Sequence, residues 1–320
     1  MTTDDADLDK YEDYAEQFDP LRTDHQARRK RELKTKHSPK KLSSQIIADI
    51  AEPIGLEGEF KTTYQPARYE AGWLLYSLRS FYDQDLISDV LTQVKGGKEA
   101  NVYCCQAHPA TGLTLLAAKI YRPRMFRNLR NDKMYREGRT ILTADGRPVK
   151  KNDHRVMRAI GKKSTFGAQV QHTSWLMHEY TTLERLYHAG GAVPQPIATA
   201  ENAILMSYHG DSQRAAPPLN EVTLAANEAT HLFQEILGNV ELMLQHELIH
   251  GDLSAYNILY WAGNITIIDF PQVVNCYTNP NAYAIFQRDI KRVCEYFARQ
   301  GVQCDAEAIT ATLWQRYVQQ

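Results

Sequence analysis

The chain has no paired-cysteine motif. Its five cysteines, at 104, 105, 276, 294 and 304, form no CxxC, and no Cys/His cluster carries zinc-ligand spacing. A zinc module or a thioredoxin-like redox site is therefore excluded, and an odd set of thiols favours a reducing cytoplasm over a disulfide framework. Long apolar runs are also missing. No stretch approaches the roughly 18 residues that a membrane helix requires, and the N-terminus shows no signal-peptide pattern. These absences predict a cytoplasmic protein with no membrane partner. Net charge is nearly absent too, at -1 over 320 residues, so a charge-driven partner would have to meet a local patch. What remains is ordinary globular material, 43% hydrophobic and 23% charged, enough for one two-lobed domain or two small ones.

The charge that cancels overall is unevenly placed. The first 19 residues carry eight acids, and residues 22–41 carry nine bases, including Arg28-Arg29-Lys30-Arg31. Apolar residues are sparse there, which predicts a disordered charged tail over residues 1–50. Residues 122–172 hold fourteen Lys or Arg against four Asp or Glu. That balance reads as a basic insertion suited to RNA, an acidic partner or nucleotide phosphates.

The densest chemistry lies in His250-Gly251-Asp252-Leu253-Ser254-Ala255-Tyr256-Asn257, followed by Ile267-Ile268-Asp269-Phe270. Two apolar stretches, 257–260 and 265–268, flank Ala262-Gly263-Asn264, and this pattern predicts a β-hairpin. The hairpin would bring Asn257 and Asp269 together. A carboxylate beside an amide oxygen suits Mg²⁺, a hard cation that rides on phosphates. Asp252, just upstream, is placed to orient or deprotonate a hydroxyl, which is the logic of a kinase catalytic loop.

Upstream, Val94-Lys95-Gly96-Gly97-Lys98-Glu99-Ala100-Asn101 joins two strand-like runs, and Gly96, Gly97 and Lys98 read as a lid over phosphates. Lys119 lies inside the apolar run Leu115–Tyr121 and needs a partner. Glu179 is the candidate, on a helix expected over 174–188 with Thr173 or Ser174 as its cap. Residues 197–198 and 203–208 form a strand pair ending at a hinge, where Met206, Ser207 and His209 stand. A long helix over 224–248 leads to the catalytic stretch. A later helix buries Phe286, Ile290, Val293 and Phe297, and a last one starts near Asp305.

Taken together, Gly97-Lys98-Glu99-Ala100-Asn101-Val102-Tyr103, His250 to Asn257 and Ile268-Asp269-Phe270-Pro271-Gln272 resemble the RIO family of atypical protein kinases over about residues 70–300. The resemblance implies an α+β, bilobal protein-kinase-like fold. It would have an antiparallel β N-lobe with one helix over 51–206, a mostly helical C-lobe over 207–320, and a truncated activation segment. It implies ATP and Mg²⁺, Asp252 as catalytic Asp, and Asn257 and Asp269 as metal ligands, with Asp269 also able to accept a phosphoryl group during ATP hydrolysis. Lys119 would hold phosphates with Glu179 as its partner, and Ser207 and His209 would meet adenine through backbone groups. It further implies a serine/threonine kinase or ATPase acting in ribosomal subunit maturation, with ribosomal RNA or a pre-ribosomal particle as partner. Two rivals stand beside it: a nucleotide-sensing RNA-particle assembly factor with little catalysis, and a small-molecule kinase resembling aminoglycoside phosphotransferases. No Ala-Pro-Glu motif follows Asp269, and Gly251 replaces the arginine of conventional kinases. Weak action on generic peptides is therefore expected, with autophosphorylation at Ser164 or Thr165 in the insertion.

Overall fold

The computed structural model describes residue 60 and residues 62–97, 99–121, 133–150, 153–162 and 164–319. The charged tail expected over 1–50 lies outside these residues, as does Lys98.

A five-stranded antiparallel sheet forms the first lobe. Its strands are β1 (Ile87–Lys95), β2 (Ala100–Ala107), β3 (Leu115–Tyr121), β4 (Pro196–Thr199) and β5 (Ala203–Ser207), in the order β1-β2-β3-β5-β4. The period-two alternation of side chains divides β3 cleanly. Leu116, Ala118 and Ile120 face α1 (Arg68–Asp83) and pack with its Leu74, Leu78 and Phe81. Ala117 and Tyr121 face the other way, toward Trp175 and Leu176 of α4 (Thr165–His188). Lys119 shares that second face, and its register partners are Val102 on β2 and Ile204 on β5. A helix on each side leaves the sheet buried on both faces over most of β3.

α4 begins nine residues earlier than the apolar pattern predicts. Ser164 is its N-cap, accepting from the Gly167 N–H at 3.1 Å. The preceding helix α3 (His154–Gly161) presses its Ala159 carbonyl against Gly167, where any Cβ would collide. The stretch Thr165-Phe166-Gly167-Ala168 has no apolar stripe, and its helix is held by this close helix–helix approach. Residues 165–172, expected within the basic insertion, form the first turns of α4, and before them α2 (Lys133–Arg136) and α3 are the helices among the described residues of that stretch. On α4 itself Leu176, Leu183 and Leu186 are buried, whereas Tyr187 is exposed.

The second lobe is mostly helical. α5 (Ala226–Gln245) buries Leu232, Phe233, Ile236, Val240, Met243 and Leu244. α6 (Ala282–Arg299) lays Ile285, Phe286, Ile290, Val293 and Phe297 into the same core, and α7 (Ala306–Tyr317) follows with Asp305 as its cap. Between α5 and α6 run β6 (Leu248–Ile249), β7 (Ile258–Trp261), β8 (Asn264–Ile267) and β9 (Val274–Asn275). β7 and β8 form the expected hairpin around Ala262-Gly263, both at positive φ, which is the type I′ geometry that matches strand twist. β6 pairs with β9, so the chain on either side of the hairpin is also tied. The architecture is the bilobal, kinase-like α+β fold that the sequence predicts. Among the described residues no helix is long and apolar enough to cross a membrane.

Candidate active site

Lys119 reaches from β3 into the space between the lobes. Its Nζ lies 2.7 Å from Glu179 Oε1 and 2.5 Å from Asp269 Oδ1. Burial alone would pull the ammonium's pKa down, but the charges of Asp269 and Glu179 outweigh it and hold the pKa above its ordinary value. Glu179 also accepts from the Tyr121 hydroxyl and from the Phe270 N–H at 3.4 Å. Burial raises the Glu179 carboxyl, and Lys119 opposes that shift. Asp269 goes the other way: burial pushes it up, yet Lys119 and Lys95 together hold it below the usual carboxylate range. The two acids differ in access. The Glu179 side chain is 2% exposed, while that of Asp269 is 39% exposed and open to the cleft. Asp269 also sits at φ 71°, a left-handed conformation that costs a non-glycine residue free energy and that clusters at functional sites.

The hairpin does what its spacing predicts. Ile268 N–H donates to the Asn257 carbonyl at 2.9 Å, placing Asn257 and Asp269 at the same end of the ladder. Asn257 is buried, and its Nδ2 donates to the Asp252 carbonyl at 2.9 Å and to Asp252 Oδ2 at 3.1 Å. That orientation commits the amide nitrogen and leaves Oδ1 as the acceptor side. His250 spans the two segments, with Nδ1 accepting from the Asp252 N–H at 3.2 Å and Nε2 meeting the Ile268 carbonyl at 3.0 Å. Gly251 has φ 84°, and a Cβ there would strike the Gln272 carbonyl. An arginine cannot occupy that position in this backbone.

The glycine loop rests on a network that the sequence reading did not identify. Gly97 N–H donates to Asn101 Oδ1 at 3.3 Å, and Asn101 Nδ2 donates to the Tyr103 hydroxyl at 2.9 Å. Tyr103 in turn donates to Glu70 Oε1, and Tyr64 donates to Glu70 Oε2 at 3.0 Å. Burial raises the Tyr64 phenol to about 12, with the Glu70 charge adding to it. A Cβ at Gly97 would lie 2.7 Å from the Ala100 carbonyl, so the loop's tight return requires glycine. The only advance signal was Asn101 and Tyr103 sharing a strand face with apolar neighbours.

At the hinge, Met206 is buried, and Ser207 and His209 are half-buried. Ser207 N–H donates to the Gln195 carbonyl at 2.8 Å, and the His209 carbonyl accepts from Ala216 N–H at 2.9 Å. Among the described residues the His209 N–H donates to no backbone carbonyl. The imidazole sits between Ser207 Oγ at 3.3 Å and Thr266 Oγ1 at 3.2 Å.

Two further groups were missed. Arg288, Asp289 and Arg292 are charged residues on the buried side of α6; Asp289 and Arg292 are 2% and 4% exposed, and all three reach the 250–252 loop. Charges on an apolar stripe were the available signal. Residues 133–142 also fold over the second lobe. Asn279 Nδ2 donates to the Met134 and Glu137 carbonyls at 2.8 and 3.1 Å. Arg139 Nη2 donates to the Pro271 and Val273 carbonyls at 2.7 and 2.6 Å.

Among the described residues no three His, Cys, Asp or Glu side chains gather into a metal cage. That suits Mg²⁺, which takes one or two protein ligands and completes its shell with water and phosphate oxygens. The open Asp269 carboxylate and the Asn257 acceptor oxygen fit that demand.

A family model for the RIO domain matches residues 102–309. The RIO-type serine/threonine-protein kinase Rio1 of Haloferax volcanii is 29% identical over 218 residues, covering 68% of this chain and 66% of that protein. The serine/threonine-protein kinase RIO1 of Chaetomium thermophilum is 30% identical over 231 residues, covering 69% of this chain and 41% of that one. Human RIO3 is 34% identical over 130 residues, 40% of this chain and 25% of that one. The chain thus spans less than two thirds of each of these relatives. Among solved structures, the Chaetomium thermophilum Rio2 kinase in its ADP/Mg²⁺-phosphoaspartate complex has a TM-score of 0.50 at 21% identity, covering 84% of this chain and 75% of that one. At that identity the likeness bears on the fold alone. With the RIO domain matched over well more than half of its length, the chain belongs to the RIO family.

Proposed function

We propose that this chain is an ATP-dependent serine/threonine phosphotransferase and ATPase of RIO type. The observation that carries the reading is the convergence at Asp269. One buried lysine holds it beside Glu179, and the hairpin delivers Asn257, with Asp252 attached, to the same place. ATP would lie under Gly96 and Gly97, its adenine against Met206 and the backbone of Ser207 and His209, its phosphates against Lys119. Lys98 belongs to the same loop by sequence and lies outside the described residues. Asn257 and Asp269 would hold Mg²⁺, which would supply positive charge against the negative charge that develops on the phosphates. In transfer, the bond from the γ-phosphorus to the β–γ bridging oxygen breaks as a bond to the acceptor oxygen forms. ADP leaves, and the acceptor's proton passes to Asp252. Water as acceptor yields phosphate, a protein hydroxyl yields a phosphoester, and the Asp269 carboxylate, which has no proton to give, yields an acyl phosphate.

The test is turnover of ATP with Mg²⁺ by wild type, Asp269→Asn and Lys119→Ala, with nucleotide affinity by calorimetry. Asp269→Asn should abolish hydrolysis, and Lys119→Ala should weaken ATP binding about tenfold or more, the order expected when a charge-assisted contact to phosphate is lost. Wild-type turnover in Asp269→Asn would end this reading.

A second role, as an assembly factor on a ribosomal RNA particle, is favoured by α3. Arg155, Arg158 and Lys162 are exposed there and, with His154, Ser164 and Phe166, line a cavity of about 480 Å³. The two roles are compatible. Membership of the RIO family weighs against a small-molecule kinase.

A further inference from the structure

Arg292 lies on the buried face of α6 that also carries Ile285, Arg288 and Asp289, and it is 4% exposed. A guanidinium cannot be deprotonated, so it stays in such surroundings only with a compensating charge. Its Nη1 donates to Asp252 Oδ1 at 2.6 Å, while Asn257 Nδ2 takes Oδ2 of the same carboxylate at 3.1 Å. One turn earlier, Asp289 Oδ2 accepts the Gly251 N–H at 2.8 Å, and Arg288 donates to the Gly251 carbonyl. One face of α6 therefore makes two different kinds of contact. Asp289 and Arg288 grip backbone and set where the loop runs. Arg292 grips the Asp252 side chain and sets how the carboxylate is turned.

We propose that Arg292 is a positioning residue for phosphoryl transfer: it locks the rotation of the Asp252 carboxylate so that Oδ2, beside Asn257, is the oxygen presented to the acceptor hydroxyl or water. The inference rests on the proposed role of Asp252 as proton acceptor. The terminal torsion of an aspartate is broad and roughly two-fold, so a carboxylate held at one end swings. Donors on both oxygens remove that freedom. The ion pair is almost fully shielded, with side-chain exposures of 4% and 15%, so it is weakly screened by salt. A shorter lysine can supply the charge but not the planar fork.

The experiment measures ATP hydrolysis by the full chain over a range of ATP and Mg²⁺ concentrations, with nucleotide affinity and Tm recorded for each variant. Arg292→Gln should lower kcat about 30-fold with KM for ATP nearly unchanged, the size of effect expected from a misaligned catalytic group. Arg292→Lys should recover part of that loss. In the background of Asp252→Asn, adding Arg292→Gln should lower kcat no further, because the proposed role runs through that carboxylate. Wild-type kcat in either Arg292 variant, a kcat loss matched by lost nucleotide affinity, or full additivity with Asp252→Asn would each overturn the proposal. If Arg292→Gln does not fold, Arg292→Lys decides: lowered kcat at unchanged affinity supports the assignment, and any other pattern refutes it. Should wild type hydrolyse ATP no faster than Asp252→Asn, the assigned role of Asp252 fails first and the inference falls with it.

Discussion

Glu179 is 1% exposed and serves Lys119, Tyr121 and the Phe270 N–H at once. Removing one partner from a buried ion pair costs more than the pair contributes, because a charge is left without compensation. Here Asp269 still faces Lys119, which softens the loss. Glu179→Ala should therefore destabilise the protein by about 3 kcal/mol in urea denaturation, and a loss below about 1 kcal/mol would show that the pair does not anchor the lobe. His209 gives a pH handle at the same scale. Burial pulls its pKa below the ordinary value, and its ring nitrogens are occupied by Ser207 and Thr266. The unfolded chain takes up a proton near pH 6.5 while the folded chain resists it. Stability is thus fully present above that pH and is lost as pH falls from it toward the depressed folded value. Burial lowers His178 in the same way. Tm should drop between pH 7.5 and 5.5, and His209→Gln should shrink that drop; an unchanged drop in the variant would remove His209 from the account.

In the β1–β2 loop Asn101 holds the Gly97 N–H, whereas the 133–142 segment is held by several polar side chains, Arg139 and Asn279 among them. Asn101→Ala removes the only side-chain acceptor of the Gly97 N–H among the described residues, and it also leaves Tyr103 and Glu70 short of a donor. The expected outcome is a rise in KM for ATP of about fivefold with little change in kcat, the scale of one hydrogen bond of about 1 kcal/mol; steady-state kinetics would check it, and unchanged KM would mean the loop needs no buttress. Ser164 was expected in a loose loop as a target of self-phosphorylation. Its hydroxyl caps α4 and also donates to the Ala159 carbonyl at 3.2 Å, so modification there would first have to release the cap. The start of α4 was illegible in sequence for a related reason. A stretch of Thr, Phe, Gly and Ala carries little helix propensity, and its helix exists because Gly167 lets α3 come close.

At the scale of the molecule, a short path joins Asp269 to α6, and the 133–142 segment lies over the 271–281 stretch. An extended peptide has little platform there, so phosphorylation of generic peptides should be slow beside ATP hydrolysis or self-modification; radiolabelled ATP with mass-spectrometric mapping would decide, and fast peptide transfer alone would contradict it. The basic surface predicts a polyanion. Replacing Arg155, Arg158 and Lys162 together should weaken RNA binding and flatten its salt dependence by about one unit of log-log slope per lost phosphate contact, and an unchanged slope in a filter assay would exclude α3 from the interface. The insertion's sequence also offers Lys150 among the described residues, and Arg124, Arg127, Arg130, Lys151 and Lys163 outside them. The sequence by itself determined the hairpin and singled out Lys119, Glu179, Asp252, Asn257 and Asp269 as candidates, while the two-lobed class came from the resemblance to the RIO family. The hairpin and the candidates rest on local periodicity, on turn chemistry and on charges placed in apolar runs, all of which are written within a few residues of one another. Only the tertiary structure decided that Arg292 faces Asp252, that Glu70 supports the glycine loop through Tyr103 and Asn101, and that residues 133–142 lie on the second lobe. Each of these joins residues 31 to 145 positions apart. Such contacts are selected by the packing of whole elements, and no local pattern records which buried charge will meet which.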